Sequence, residues 1–538
     1  MYLKTALAVL IVTACMTLRA DEVHHHSDPA QKVGRVSFTV SCSQSAQNKV
    51  EYGLALMHSF LFEDAEDQFR IATTEDSTCA MAYWAAAIGL YRPLAYLPTD
   101  ADMKRGWELI EKAIELDPKT PRERDYVQAA AALYRPDERT YNTRNHDYCA
   151  AMERLYKDYP NDREASVFYA LSLLTWADSE HPTVDSEKAI AILNAVFRDN
   201  PNHPGVAHYL IHAADSPRLA ELGLEAARRY AQIAPASPHA LHMPSHIFAR
   251  LGLWEEDIRS NLASLKAARI SSSVHVGAEN QLHAMEFLEY AYLQIGEDTK
   301  AKEMVASQAK IRFDQVDGNL HDYVNRTRAN SPALYYLETR NWKAAQALQS
   351  ASSAAETYNQ AIIYWARAVA AGHLRDLKTA EHAVAQYNAL VETTKQGPRS
   401  YRAKYMATKG DEANAWLAFL QGKDQEAIEL LRTLAEKQDS EGKGEIELPA
   451  REMLADMLME MNRPEDALAE FEKSMKVDPN RFNALYDAGR AAELVGQQEK
   501  ALNYYGQLLR NCASEQTKRP ELVRARDSMF ENRRTSSH

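Results

Sequence analysis

Glycine is scarce in this chain: 19 among 538 residues, about half the usual ~7%. β-Barrels, sandwiches and Gly-rich nucleotide-binding folds use glycine in tight turns, so such folds are disfavoured. Basic blocks are also missing. Lys and Arg number 62 against 75 Asp and Glu, for a net charge of −13. Nucleic acid needs its phosphates neutralised by Lys and Arg, so no nucleic-acid partner is expected. An anionic membrane surface is disfavoured for the same reason. The five cysteines are too few for a disulfide-built scaffold. One apolar run stands out, Ala6 to Cys15, and it is too short to cross a bilayer. No transmembrane span is therefore expected. The chain has no GxSxG, Walker A loop, HExxH, CxxC pair or GxGxxG before a helix, so the common hydrolase, kinase and dehydrogenase sites are not indicated. What is present is 46% apolar residues, enough to bury a sizeable core. The length allows three to five domains of about 100–200 residues, or one long repeat array.

The run ALAVLIVTAC, preceded by Lys4, has the shape of a signal-peptide core. Cleavage after Ala20 would remove residues 1–20 and release a soluble protein. Alternatively, Val12-Thr13-Ala14-Cys15 resembles a bacterial lipobox, with cleavage before Cys15 and a lipid anchor on that residue. Either way the protein is expected outside the cytoplasm: periplasmic, an outer-membrane lipoprotein, or secreted. An oxidising compartment allows single disulfides. Cys42 sits in an alternating stretch, VSFTVSC, and Cys79 one helical hairpin later. A bridge between them would tie the N-terminal segment to the first hairpin; the alternative is two unpaired small apolar side chains.

Small and large apolar residues recur at fixed spacings in WELIEKAIELDP, SEKAIAILNAVFRDNP, LAELGLEAARRYAQIAP, PEDALAEFEKSMKVDP and EKALNYYGQLL. Pro201 to Pro235, Ala467 to Ala501 and Phe471 to Tyr505 are each separated by 34 residues. Thr120-Pro121-Arg122-Glu123 reads as a helix start, with Thr as cap, Pro in the first turn and Glu reaching back. Small residues let the two helices of a unit approach, and large ones fill the gap to the next. One such unit cannot bury its own apolar face, but stacked units can.

This period resembles the tetratricopeptide repeat family, whose unit is a 34-residue helix–turn–helix. The segments LMHSFLFEDAEDQF, CAMAYWAAAIGLYRPL, VAHYLIHAADSP, HALHMPSHIFARLGLW and LPAREMLADML further resemble a group of exported bacterial proteins built on this repeat. That resemblance implies a fold and a set of unusual residues rather than a reaction. The expected fold is all-α, a superhelix of helical hairpins preceded by a short extended segment. Its parts are an N-terminal segment (21–44), an N-terminal and central array (45–400), a C-terminal array (401–510) and a tail (511–538).

Histidine is unevenly placed among its 18 occurrences. His208 and His212 are four apart, as are His242 and His246, and the two pairs are offset by 34 residues. They therefore take equivalent places in adjacent units, where four imidazoles are expected to converge across one helix–helix seam on the concave groove. Asp215 and His239 lie one turn away on the same faces. The next first helix offers His283 and Glu286, with Tyr290 further on. Imidazole plus carboxylate without thiolate suits copper, zinc, iron or manganese. His208, His212, His239, His242, His246, His283, Glu286 and Asp215 are the candidate ligands, and Tyr290 and Glu164 candidate supports behind them. Pro244 breaks the second of these helices and should re-aim His246 against His242. His275, in SSSVHVGAEN, reads as part of a loop near the site, and His24 to His26 as a solvated tract. Binding needs neutral imidazoles, so it should weaken below their ordinary pKa of about 6.5.

Two functional classes follow. One is an exported metal-binding protein, with or without catalysis at the metal. The other is a non-catalytic scaffold that grips a peptide or protein partner in its groove.

Overall fold

In the computed structural model, the structure describes residues 32–95, 97–175, 182–270, 274–311, 318–349, 357–396, 402–512 and 519–535. The expected signal segment, Cys15 and His24 to His26 lie outside the described residues. Helices make up almost all of what is described, and no strand occurs among those residues. Consecutive helices pack on one another, so the described chain is an array of helical hairpins of the tetratricopeptide type.

One turn recurs through the array. Phe60, Gly252, Gly296, Arg340, Arg375, Gly422, Asn462 and Gly496 all have φ between 55° and 74°. In each case the next residue's N–H bonds the carbonyl five residues back, as Leu61 does to Leu56 and Gln497 to Ala492. This is the Schellman closure of a helix C-terminus, and the second helix starts two residues after the left-handed one. The turns from Gly252 onward are 44, 44, 35, 47, 40 and 34 residues apart. Among these turns the 34-residue spacing appears only at the C-terminal end, and longer helices and longer connections between helices stretch the other units.

Close approach within hairpins depends on glycine under an aromatic ring. A Cβ on Gly53 would lie 2.4 Å from the Phe69 ring, and one on Gly489 would lie 2.4 Å from that of Tyr505. The Thr120 start forms as read: Thr120 and Glu123 make a capping box with Pro121 in the first turn.

Residues 32–43, ahead of the Gln44 helix, are neither helix nor strand. Their alternation still has a consequence: Val33, Val36, Phe38 and Val40 are buried. Phe38 packs between Trp84 and Tyr126, with ring centroids 5.4 and 5.2 Å away. Cys42 and Cys79 are joined, with Cα atoms 5.0 Å apart.

Two large apolar cores, residues 33–248 and 329–525, are linked by smaller ones. The C-terminal array folds back on the central helices. Trp254 donates its indole N–H to the Asn480 carbonyl at 2.8 Å. Phe482 N–H reaches Gln294 Oε1 at 3.0 Å. Arg481, 1% exposed, binds Glu338 at 2.8 Å and Glu452 at 2.7 Å. The array also runs past 510. A last helix, Pro520–Thr535, buries Leu522 and Ala525 in the second core, and Arg519 pairs with Asp298. No helix among the described residues is long and apolar enough to cross a membrane.

Candidate metal centre

The Pro204–Ala214 helix carries His208 and His212. Its successor is divided at Met243 into Pro238–His242 and Pro244–Arg250. The break falls where Pro244 lacks an N–H. Serine hydroxyls take up carbonyls around it: Ser245 bonds the His242 carbonyl at 2.7 Å, Ser260 that of Leu241 at 2.6 Å and Ser264 that of Pro238 at 2.8 Å. His283 and Glu286 lie on the Val274–Gln294 helix. His275 falls in the first turn of that same helix, not in a loop.

The four paired imidazoles do not form one cluster. Instead each pair recruits a third histidine. His208, His212 and His239 make the first triad, and His242, His246 and His283 the second; within each, one ligand atom per residue lies within 4.8 Å of the others. Axes of neighbouring helices are about 8–10 Å apart, too far for equivalent positions to meet directly. His239, one turn before His242, reaches back to the first pair. The site is also not an open groove: His208 and His242 are fully buried and the other four are half-buried.

Within the first triad, His208 Nε2 lies 3.0 Å from His239 Nε2 and 3.1 Å from His212 Nε2. His208 Nδ1 donates to the His58 carbonyl at 2.7 Å. Its Nε2 is then a lone pair in the neutral ring. Phe60 packs on the triad: its ring stacks on His239 and meets His208 edge-on, both at 4.5 Å, with His212 at 6.0 Å.

The second triad is backed by more polar groups. His242 Nε2 and His246 Nε2 are 3.0 Å apart. His242 Nδ1 donates to Asn261 Oδ1 at 2.6 Å, while the Asn261 amide binds Asp257. His246 Nδ1 faces Asp215 at 2.9 Å and Glu445 at 3.2 Å, and Arg250 binds both carboxylates. His283 Nδ1 donates to the Tyr323 hydroxyl at 2.9 Å, which donates to Glu286 at 2.6 Å. Asp215 and Glu286 thus stand behind imidazoles.

Burial holds His208, His239 and His242 well below the ordinary imidazole range, and pulls His212 down to about 3. His246 is the exception. Burial acts to lower it, but Glu445 and Asp215 push it up to about 10.

A third cluster, His58, Glu164 and His203, is fully buried and has a different character. Glu164 accepts from His58 Nε2 at 3.1 Å and from His203 Nε2 at 2.5 Å. His58 Nδ1 accepts from Tyr209, and His203 Nδ1 from the Val206 N–H. Every ring nitrogen has a hydrogen-bond partner, so this cluster is a closed network beneath the His58 carbonyl. Glu164 supports the first triad only through it. Tyr290 stands apart from the imidazoles: it bonds Arg481, and its ring packs on Trp254. Glu445, Asn261, Tyr323, Phe60 and His58 were not singled out from sequence. Only the left-handed turn occupied by Phe60 leaves a local signal.

No protein-family model matches this chain, and no curated protein matches its sequence. Among solved structures, the human IFIT1 dimer with m7Gppp-AAAA is 12% identical over 81% of this chain and 90% of that one, with a TM-score of 0.35. The APC/C hetero-tetramer Cut9–Hcn1 is 11% identical over 88% of this chain and 95% of that one, with a TM-score of 0.29.

Proposed function

We propose that this protein binds transition metal at two three-histidine sites. The observation that carries the reading is the facing of His242 and His246. Both Nδ1 atoms are engaged by oxygen acceptors, so two Nε2 atoms meet at 3.0 Å. Two lone pairs repel at that distance unless a cation lies between them. A proton held on His246 can serve when metal is absent. Two nitrogens at about 2.0–2.1 Å from one tetrahedral zinc would be roughly 3.3 Å apart, a few tenths of an ångström from what is seen. Oxygens behind ligand imidazoles are the usual support at metal sites. Copper, zinc and iron all suit such donors.

We further propose that the protein is exported. The signal-like run Ala6 to Cys15 and the Cys42–Cys79 bridge fit a periplasmic, outer-membrane or secreted protein. An N-terminus at Cys15 or Asp21 in mass spectra of the native protein is the expected result.

The test is metal quantification on untagged protein. Wild type should hold two equivalents, His212→Ala and His246→Ala one each, and the double variant none, with helix content kept. A wild type that never holds stoichiometric metal would overturn the reading and leave a scaffold for a peptide or protein partner.

A further inference from the structure

The two triads differ in the charge around them. At the second, Asp215 and Glu445 contact His246, and Glu286 reaches His283 through Tyr323. Arg250 contacts both Asp215 and Glu445, but its single charge balances only one of the three carboxylates, and Arg326 lies near Glu286 at longer range. At the first, no carboxylate among the described residues hydrogen-bonds an imidazole. His208 leans on a backbone carbonyl, and the surroundings are aromatic. Tyr209 and Tyr230 stack on His208 at 5.2 Å, and Phe60 contacts all three rings.

Phe60 holds the left-handed position of its turn, with φ 57°, as Arg340 and Arg375 do in theirs. Its ring closes one side of the first triad with hydrocarbon.

The self-energy of a buried ion rises with the square of its charge, so a univalent ion costs about a quarter as much as a divalent one in the same apolar pocket. Neutral imidazoles cannot cancel that charge, whereas the carboxylates of the second triad can. Resting on the metal-binding reading above, we propose that the two sites are matched to different ions: His208, His212 and His239 to a univalent soft ion, copper(I), and His242, His246 and His283 to a divalent one. Three imidazoles and no anion give copper(I) a site of the right charge. The same three ligands would leave zinc(II) beside Phe60 with no carboxylate in direct contact to offset its double charge.

The experiment loads metal-free full-length protein anaerobically with copper(I) from a competing chelator, with zinc(II), and with both. With both present, wild type should hold one equivalent of each. His239→Ala, and independently His212→Ala, should lose the copper(I) and keep the zinc(II). His283→Ala and His246→Ala should do the reverse. Zinc(II) alone should fill the first site at least tenfold more weakly than the second. Two zinc(II) ions held within tenfold of each other, or copper(I) lost with the His283 and His246 variants instead, would overturn the assignment while leaving two metal sites standing. Wild type that holds neither ion would overturn the metal-binding reading itself.

Discussion

Tyr323 shows how one hydroxyl can set the quality of a site. It accepts from His283 Nδ1 and donates to Glu286, so it fixes the imidazole's tautomer and orientation at once. Tyr323→Phe should weaken metal binding at the second site about 10- to 100-fold. The first site should be unchanged in the same titration. A second residue-scale case lies far from the histidines. Glu412 is buried and accepts from the Trp365 indole N–H at 2.6 Å. Burial pushes its pKa up to about 7 from an ordinary 4.5, opposed by Lys409 and assisted by Glu447. The folded value lies above the unfolded one, so its contribution is complete below about pH 4.5 and lost as pH rises through 7. At about 1.4 kcal/mol per unit, the loss by pH 8 is on the order of 3 kcal/mol. Glu412→Gln keeps an acceptor for Trp365 and cannot ionise. Denaturant midpoints measured from pH 5 to 8 should fall in wild type and stay flatter in the variant.

The hairpin is the element on which the array is built, and its tightness rests on glycine. Gly489 faces the Tyr505 ring, and an added Cβ would sit 2.4 Å from it. Helix propensity favours alanine by about 1 kcal/mol, whereas overpacking costs about 1–3 kcal/mol. Gly489→Ala should therefore lower the melting temperature. Gly506 is the control: its Cβ would meet only the flexible end of Arg510 at 3.4 Å. Gly506→Ala should raise the melting temperature or leave it unchanged. The histidine helix follows the same logic with a different breaker. Pro244 divides it at Met243, and Ser245, Ser260 and Ser264 bond carbonyls on the Pro238–His242 side. Ser245 is thereby held as a backbone ligand rather than poised as a nucleophile.

For the molecule as a whole, the return of the C-terminal array brings Glu445 to a histidine 199 residues away. Arg481 is central to that docking. It is buried between Glu338 and Glu452 and touches Tyr290. Arg481→Met would leave two carboxylates buried without their cation, at a cost of about 3–5 kcal/mol. The expected outcome is a lower unfolding midpoint and weaker metal binding at the second site, where Glu445 is lost. The first site, held by the N-terminal units, should bind as before. Equal weakening at both sites would show that docking does not act through Glu445.

Local chemistry determined much of this protein. The capping box at Thr120, the alternation in 33–40, the glycine-poor helical hairpins and the two histidine pairs in phase could all be read along the chain. Each depends on neighbours within one or two units, where spacing fixes geometry. Tertiary structure alone decided how six histidines divide into two triads. It also placed Asn261, Tyr323 and Glu445 behind them, and put Tyr290 with Arg481 instead. The reason is cumulative. Turns from Gly252 onward are 34 to 47 residues apart, so the path of the superhelix depends on every unit's length and packing. A carboxylate near the C-terminus meets a central imidazole only after those increments have added up, and no local pattern records their sum.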